Sequence, residues 1–363
     1  MKKVKVGIIG TGVGIRTHYN GFKPLDEVEI VAICGSSYER SQEFAKKYDI
    51  PIACSDYKEL CDLQEVDLVC VTSPNRFHMD AVKYAVAKKK HIICEKPLSD
   101  NSKEVESLIN VVRGYDRIAV VDHQLRYNPY IIKIKEMIDK GILGDIKSVK
   151  LNQAGTGFSN IEAPWSWSFD GAQGGGVRLA MASHFTDLIQ FWFGNRKVNG
   201  FLNPVTMNRK DNEGNYRKVT GSTVCTAHIN LENELNVIYS INAGSYIGSR
   251  FDISIFGTRG ELVFDLQNKL LFYSRDSVGQ PNKIVVEDVF DDERENKVSI
   301  FSGSFRYFAP IIIEAIQTNN YELISKSATF ADAKYNLKIL DAIHQSANNG
   351  IGVVLGKESN SYV

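Results

Sequence analysis

An apolar run at Val4, Val6, Ile8 and Ile9 leads straight into Gly10-Thr11-Gly12-Val13-Gly14, and no other stretch of the chain narrows the fold as much. Val/Ile-rich runs of this kind form strands buried on both faces, as in a parallel sheet. A strand that feeds a tight glycine turn and then a helix N-terminus aims backbone N–H groups at an anion. The pattern therefore predicts an α/β domain whose first turn receives a pyrophosphate. Gly10, Gly12 and Gly14 let the backbone turn and approach closely, while Thr11 and Val13 offer N–H groups. The spacing is irregular. In G-x-G-x-x-G the third glycine would fall where this chain has Ile15, and Gly14 comes one residue early. The early glycine is expected to change how the first helix packs on the strand more than it changes phosphate binding.

The chain has 363 residues, enough for two domains with separate cores. Its 43 Lys and Arg balance 43 Asp and Glu, which removes the basic field a nucleic-acid binder needs and favours a small-molecule partner. No apolar run reaches bilayer length, so no membrane partner is expected. The first strand begins almost at Met1, which leaves no room for a signal peptide and predicts a cytoplasmic protein. Of the six cysteines, Cys34, Cys70 and Cys94 lie in strand-like runs, where cysteine acts as a small hydrophobe. No C-x-x-C or H-E-x-x-H pair occurs, so no metal site is expected.

Up to residue 122, apolar runs at 4–9, 28–34, 67–72, 91–94 and 118–121 alternate with amphipathic stretches at 38–48, 78–88 and 103–113. That rhythm predicts a Rossmann-type, doubly wound parallel sheet over 1–122. From 123 to 363 the rhythm changes. A helix at 129–140, a strand at 146–153, a Gly- and Trp-containing loop to 176 and a helix at 179–193 are followed by strands without intervening helices. These are expected at 223–231, 234–243, 251–256, 261–264, 270–274 and 284–289, with closing helices at 304–318 and 328–348. Successive strands imply a largely antiparallel sheet, hence an α+β second domain.

Further motifs follow the glycine turn in order. They are Thr72-Ser73-Pro74-Asn75-Arg76-Phe77-His78, Cys94-Glu95-Lys96-Pro97-Leu98, Arg126-Tyr127-Asn128-Pro129 and Lys140-Gly141-Ile142-Leu143-Gly144. Gly174-Gly175-Gly176, His184-Phe185-Thr186-Asp187 and Phe256-Gly257-Thr258-Arg259-Gly260-Glu261-Leu262 complete the series. Across nearly the whole chain this order resembles the Gfo/Idh/MocA oxidoreductases, and the E-K-P step is its most specific element. The resemblance implies an open-faced second sheet that forms a homodimer or homotetramer. It also implies an enzyme: an NAD(P)-dependent dehydrogenase that acts on the CH–OH groups of a polyhydroxylated small molecule such as a sugar or cyclitol.

The end of the second strand bears on the choice of dinucleotide. It reads Gly35-Ser36-Ser37-Tyr38-Glu39-Arg40, with no carboxylate at the strand end itself. Ser36, Ser37 and Arg40 suit a 2′-phosphate, so NADP is favoured over NAD. The competing reading is a helix cap and a surface arginine, and Glu39 could still reach a ribose. The resemblance lays Ser73, Pro74 and Asn75 along the cofactor, with His78 opening the next helix, and suggests a cis bond at Pro97.

Lys96 follows a buried strand at its C-terminal end, where open α/β sheets hold ligands, and would polarise the substrate oxygen as hydride leaves. Glu95 would orient Lys96 or hold the nicotinamide ribose. His184 matches the family's catalytic histidine and would act as general acid/base. Relatives with D-x-x-x-H carry an aspartate where this chain has Ala180, four positions before His184, so the chain falls in a subgroup without that carboxylate. Arg126, Tyr127, Trp165, Trp167 and Asp187 are candidate substrate contacts. For the tryptophans, sugar stacking and loop anchoring weigh equally. Arg178 is either an anion ligand or an ion-pair partner, and His18 is expected mainly to pack. Two other readings stay open: a redox-neutral glycoside hydrolase on the same fold, and a cofactor-binding regulatory protein without catalysis.

Overall fold

A computed structural model describes residues 2–160, 162–194, 197–203, 208–231, 235–246, 248–267, 269–288, 290 and 299–355. It divides into two compact units, Met1–Asn128 with Val289–Lys334, and Pro129–Asp288 with Tyr335–Val363.

The first unit is built on a parallel sheet of β1 (Val4–Ile9), β2 (Val28–Cys34), β3 (Ile52–Cys54), β4 (Leu68–Val71), β5 (His91–Glu95) and β6 (Ala119–Asp122). The strands lie in the order β3-β2-β1-β4-β5-β6, the doubly wound arrangement the sequence rhythm predicts. Val6, Ile8, Leu68, Cys70, Ile92 and Ile93 are fully buried, which is why these strands show no polar alternation. The order reverses between β1 and β4, so a crevice opens where the glycine turn and the turn after β4 leave the sheet. β3 and the helix Tyr57–Asp62 were not expected. They are three and six residues long, too short to show a period.

The helix Ile300–Thr318 also belongs to the first unit, although chain order sets it behind the second sheet. The cause is its apolar face. Phe305 meets Phe22 edge-on at 5.2 Å, and Phe308 stacks on Tyr127 at 4.4 Å. Val121 N also donates to Ala328 O at 2.9 Å beside β6.

The second unit carries an eight-stranded sheet of β7 (Ile146–Ala154), β8 (Lys197–Asn203), β11 (Val224–Asn230), β12 (Asn236–Asn242), β13 (Arg250–Gly257), β14 (Gly260–Asp265), β15 (Lys269–Ser274) and β16 (Pro281–Ile284). A small pair, β9 (Asn208–Lys210) and β10 (Tyr216–Lys218), stands apart from it. The sheet order is β16-β15-β14-β13-β7-β12-β11-β8, antiparallel except for β7 with β12. Along β11 and β12 burial alternates, which is the signature of one covered and one open face.

Three expectations differ from the structure here. The helix expected at 179–193 is two helices, Val177–Ala180 and Ala182–Phe193, broken at Met181. The strand expected at 284–289 is Pro281–Ile284 instead, paired with β15. β8, β9 and β10 were not anticipated. Glu234 and Val289, expected strand ends, lie outside the described residues. All six cysteines are free and buried. No helix among the described residues is long and apolar enough to cross a membrane.

Candidate functional site

The three glycines of the first turn have distinct jobs. Gly10 adopts φ +115°, and a Cβ there would lie 2.6 Å from the carbonyl oxygen of Thr72. Its N–H donates to Cys34 O at 2.8 Å, and Thr72 Oγ1 donates to Ile9 O at 2.7 Å, so the ends of β2 and β4 pin the turn. A Cβ on Gly14 would meet Thr72 Oγ1 at 2.5 Å and Ile8 Cγ2 at 2.6 Å. Gly14 therefore does the close helix–strand packing usually given to the third glycine, and Ile15 is buried in the core. The helix opens as a wide π-helical turn, Gly14–Tyr19. A Cβ on Gly12 would meet nothing within 4 Å. The bare backbone there faces open space, as a pyrophosphate cradle requires.

Arg40 is drawn toward this turn. Its Nε donates to Thr11 Oγ1 at 3.0 Å, and its guanidinium lies 4.7 Å from the centre of the Phe44 ring. Ser37 caps the helix Tyr38–Tyr48 by accepting from Arg40 N, while Ser36 is exposed. Backbone and Ser37 hydrogen bonds hold the Glu39 carboxyl below the usual range.

The turns after β4 and β5 are tied together. The Lys96–Pro97 bond is cis. His78 places Nδ1 3.0 Å from Pro97 O and Nε2 2.7 Å from Ser73 O, so both ring nitrogens are engaged by backbone carbonyls. Burial lowers its pKa, against the pull of those carbonyls and of Glu95. Asn75 is buried at the start of the short helix after Pro74.

Lys96 is half-buried at the carboxyl end of the sheet. Desolvation brings its pKa below the ordinary lysine value; Glu95 and Asp122 oppose this, and Arg16 adds to it. Its N–H donates to Glu95 Oε2 at 3.2 Å. The other Glu95 oxygen lies 3.3 Å from Nε2 of His18, and Asp122 Oδ2 lies 3.2 Å from the same nitrogen. Burial pulls the His18 pKa down, but Asp122, Cys70 and Glu95 outweigh it and leave it well above the usual histidine value. Burial raises Glu95, yet the His18 bond and charge bring it below the ordinary value. Burial lifts Asp122 to about 6, with Glu95 adding to the rise.

These three side chains bring ligand-type atoms within 4.8 Å of one another. A carboxylate can only accept, so in this arrangement Nε2 facing Glu95 carries the proton of that bond. The His18–Asp122 arrangement had no signal in the sequence, since the partners are far apart along the chain.

Arg126 and Tyr127 are buried within the first unit. Arg126 Nη1 donates to Lys326 O at 3.3 Å and lies 3.5 Å from Asp332, and Tyr127 OH meets Ser327 Oγ at 2.7 Å.

In the second unit His184 and Asp187 lie three residues apart on the helix Ala182–Phe193, both buried. Phe185, between them, packs edge-on against Tyr239 at 5.8 Å and Phe251 at 5.7 Å, which fixes the helix on the sheet. Asn336 donates to Ser183 O at 2.9 Å. Ala180 is exposed and belongs to the preceding helix, so it shares no continuous helical face with His184. Arg178 pairs with Asp341 at 3.8 Å. Trp165 is partly covered, with Arg217 4.9 Å above its ring, whereas Trp167 is exposed. Their loop is held by Arg209, an unforeseen buried arginine that donates to the carbonyls of Phe158 (2.8 Å), Ala163 (3.0 Å) and Asn160 and stacks 4.1 Å from Phe169.

Residues 4–123 match the family model described as "Oxidoreductase family, NAD-binding Rossmann fold", and residues 135–355 match its companion, the "C-terminal alpha/beta domain". Mouse glucose-fructose oxidoreductase domain-containing protein 1 is 24% identical over 365 residues, 95% of this chain and 90% of its own. Bovine trans-1,2-dihydrobenzene-1,2-diol dehydrogenase is 28% identical over 174 residues, 48% of this chain and 50% of its own. Among solved structures, levoglucosan dehydrogenase in complex with NADH and L-sorbose shares the fold, with a TM-score of 0.84 at 21% identity over 99% of this chain and 100% of that one.

Proposed function

This chain belongs to the Gfo/Idh/MocA oxidoreductase family, and from that premise we propose that it is an NAD(P)-dependent dehydrogenase of a sugar, cyclitol or related polyol. Hydride would pass between the nicotinamide and a carbon bearing hydroxyl or carbonyl. The observation that carries this reading is the placement of Lys96. It leaves the carboxyl end of β5 in the same parallel sheet whose first turn leaves Gly12 open to a phosphate. Two proteins that this chain resembles are named dehydrogenases, of levoglucosan and of trans-1,2-dihydrobenzene-1,2-diol.

The dinucleotide, when bound, supplies the hydride acceptor or donor. Gly10, Thr11, Gly12, Val13 and Gly14 would hold its pyrophosphate, Ser36, Ser37 and Arg40 its adenosine end, and Ser73, Pro74 and Asn75 its flank. Arg40, oriented by Thr11, favours NADP. Lys96 polarises the substrate oxygen and stabilises alkoxide character on it. His184 exchanges the hydroxyl proton as general acid/base. Trp167 offers an exposed ring to an apolar sugar face. Self-association would use the open face of the eight-stranded sheet, where Ile238 and Phe256 are exposed.

The test follows nicotinamide absorbance across a panel of sugars and cyclitols. Lys96→Ala should lower kcat by about 10²–10³-fold with dinucleotide affinity retained. Full turnover in that variant would overturn the mechanism. Substrate cleavage without net cofactor change would replace it with the redox-neutral hydrolase. Tight dinucleotide binding with no turnover on any substrate would replace it with a non-catalytic role.

A further inference from the structure

Several ionisable side chains converge at the carboxyl end of the first sheet. Glu95 and Lys96 leave β5, Asp122 ends β6 directly opposite Glu95 in the strand register, and His18 reaches across from the first helix. His18 and Asp122 are fully buried. One imidazole nitrogen faces both carboxylates, but its hydrogen bond is directed at Glu95. Asp122 Oδ2 lies 3.2 Å from that nitrogen, yet among the described residues neither oxygen of Asp122 accepts a well-aligned hydrogen bond. A buried carboxylate in that state is costly, and an apolar residue would serve the packing better. Groups kept at such cost at the carboxyl end of an α/β sheet point to function.

The charges explain the arrangement. With His18 cationic, Glu95 and Asp122 leave the cluster with one uncompensated negative charge, and Lys96 is the cation beside it. The other groups facing the cluster do not compete for that role. Cys70, on β4, has its thiol pKa raised by burial and is neutral. Phe305 covers the His18 ring at 4.3 Å from the helix Ile300–Thr318, and Phe22 lies beyond it. Arg16, on the His18 helix, acts against a charged Lys96, and His78 acts on Glu95 from the turn after β4.

We propose that Asp122, acting through His18 and Glu95, is a positioning residue that holds Lys96 toward its charged form. The proposal rests on the reading of Lys96 as the group that polarises the substrate oxygen. His18 fixes the Glu95 carboxylate, Glu95 binds the Lys96 backbone and opposes its desolvation most strongly, and Asp122 adds a second charge in the same direction.

The experiment measures the titration of Lys96 without relying on turnover. Wild type and Asp122→Asn are labelled competitively with acetic anhydride across a pH series, and Lys96 acetylation is read by peptide mass spectrometry. Removing the charge should lower the Lys96 pKa by about one unit. The alkaline limb of kcat/KM should move to lower pH by the same amount, with dinucleotide affinity changed by less than about twofold. A merely structural role for Asp122 would not move either profile in step. An unchanged Lys96 titration overturns the proposal.

If the variant does not fold, the wild type still decides. The His18 resonance of ¹⁵N-histidine-labelled protein should stay in its imidazolium form and show an inflection near pH 6 as Asp122 titrates. A flat response overturns the proposal, as does a stoichiometric divalent ion removed only by chelation that shifts the same resonance. A labelling shift in a protein with no turnover keeps the electrostatic link and removes the redox reading. Turnover with no shift does the reverse.

Discussion

Gly12 and Gly14 sit two residues apart in one turn, and the structure assigns them opposite sensitivities to a single methyl group. In Gly14→Ala the new Cβ would fall 2.5 Å from Thr72 Oγ1 and 2.6 Å from Ile8 Cγ2. Thr72 Oγ1 cannot swing away without giving up its 2.7 Å bond to Ile9 O, and Ile8 is held in a fully buried strand. The helix must lift from the sheet, which costs about 2 kcal/mol by the usual scale of overpacking. For a unit of this size that is roughly 4–8 °C in Tm. In Gly12→Ala the Cβ meets nothing within 4 Å, and its φ is outside the left-handed region. Stability should hold or rise by about 0.4–1 kcal/mol, because alanine narrows the unfolded ensemble. Dinucleotide affinity should nonetheless fall by at least about tenfold, or 1.4 kcal/mol, because the methyl takes the phosphate's place. Thermal melts followed by circular dichroism give the first quantity, and quenching of protein fluorescence by added NADPH or NADH gives the second. Thr72→Ala combined with Gly14→Ala should recover part of the loss, since it removes the nearer clashing atom. Two results would refute the reasoning: Gly12→Ala destabilised as much as Gly14→Ala, or Gly12→Ala with undiminished cofactor binding.

Arg40→Ala should weaken NADPH binding by about 10–100-fold and leave NADH within a few-fold, measured by titration of each dinucleotide; equal losses for both would remove Arg40 from the 2′-phosphate. Arg209→Met leaves the carbonyls of Phe158, Asn160 and Ala163 without their charged donor and should cost about 3 kcal/mol in urea unfolding, with faster proteolysis between residues 158 and 163. Asp122 supplies a pH dependence of stability. Its folded pKa of about 6 is raised from an ordinary 3.8, so its contribution is fully present below the lower value and is lost as pH rises through the higher one. Asp122→Asn removes that loss. Relative to wild type it should gain about 2 kcal/mol between pH 4 and pH 7, most of what a shift of about two units at 1.36 kcal/mol each supplies, and a pH-independent difference would contradict the burial argument.

The parts of the first unit that the sequence made legible are those with local causes. β1 and β2 were bounded as expected because each is a Val/Ile-rich run, buried nearly throughout and interrupted only by Lys5 and Glu29 near its start. The helix Tyr38–Tyr48 was bounded correctly because Ser37 is a capping residue followed by a regular amphipathic turn. What was illegible depends on partners distant in sequence. Nothing local in 304–318 says whether Phe305 and Phe308 will meet Phe22 and Tyr127 or the second sheet. Arg209 lies in a three-residue strand with polar neighbours, and only the three carbonyls it serves give it a role. The break at Met181 had no proline or glycine to mark it. For that reason Ala180 and His184, both inside the one helix expected at 179–193, fall on two separate helices.

The E-K-P step shows how a motif and its structure carry different information. As sequence it is three adjacent residues, and attention falls on the lysine. In the structure its two flanks are held by two histidines from separate helices. His18 takes the Glu95 carboxylate on one side, and His78 meets the Pro97 carbonyl on the other. The same His78 also meets Ser73 O, so the turn expected to run along the cofactor and the turn that carries Lys96 are registered by one ring. Lys96 thus combines a flexible stem with a fixed base. In the role proposed for Lys96, a fixed backbone matters because preorganised charge is what makes stabilisation of a developing oxyanion large. Both histidines are buried and both serve as cross-links. Packing, the role first expected of His18, is therefore only part of what that residue does, since the same imidazole nitrogen lies 3.3 Å from Glu95 and 3.2 Å from Asp122.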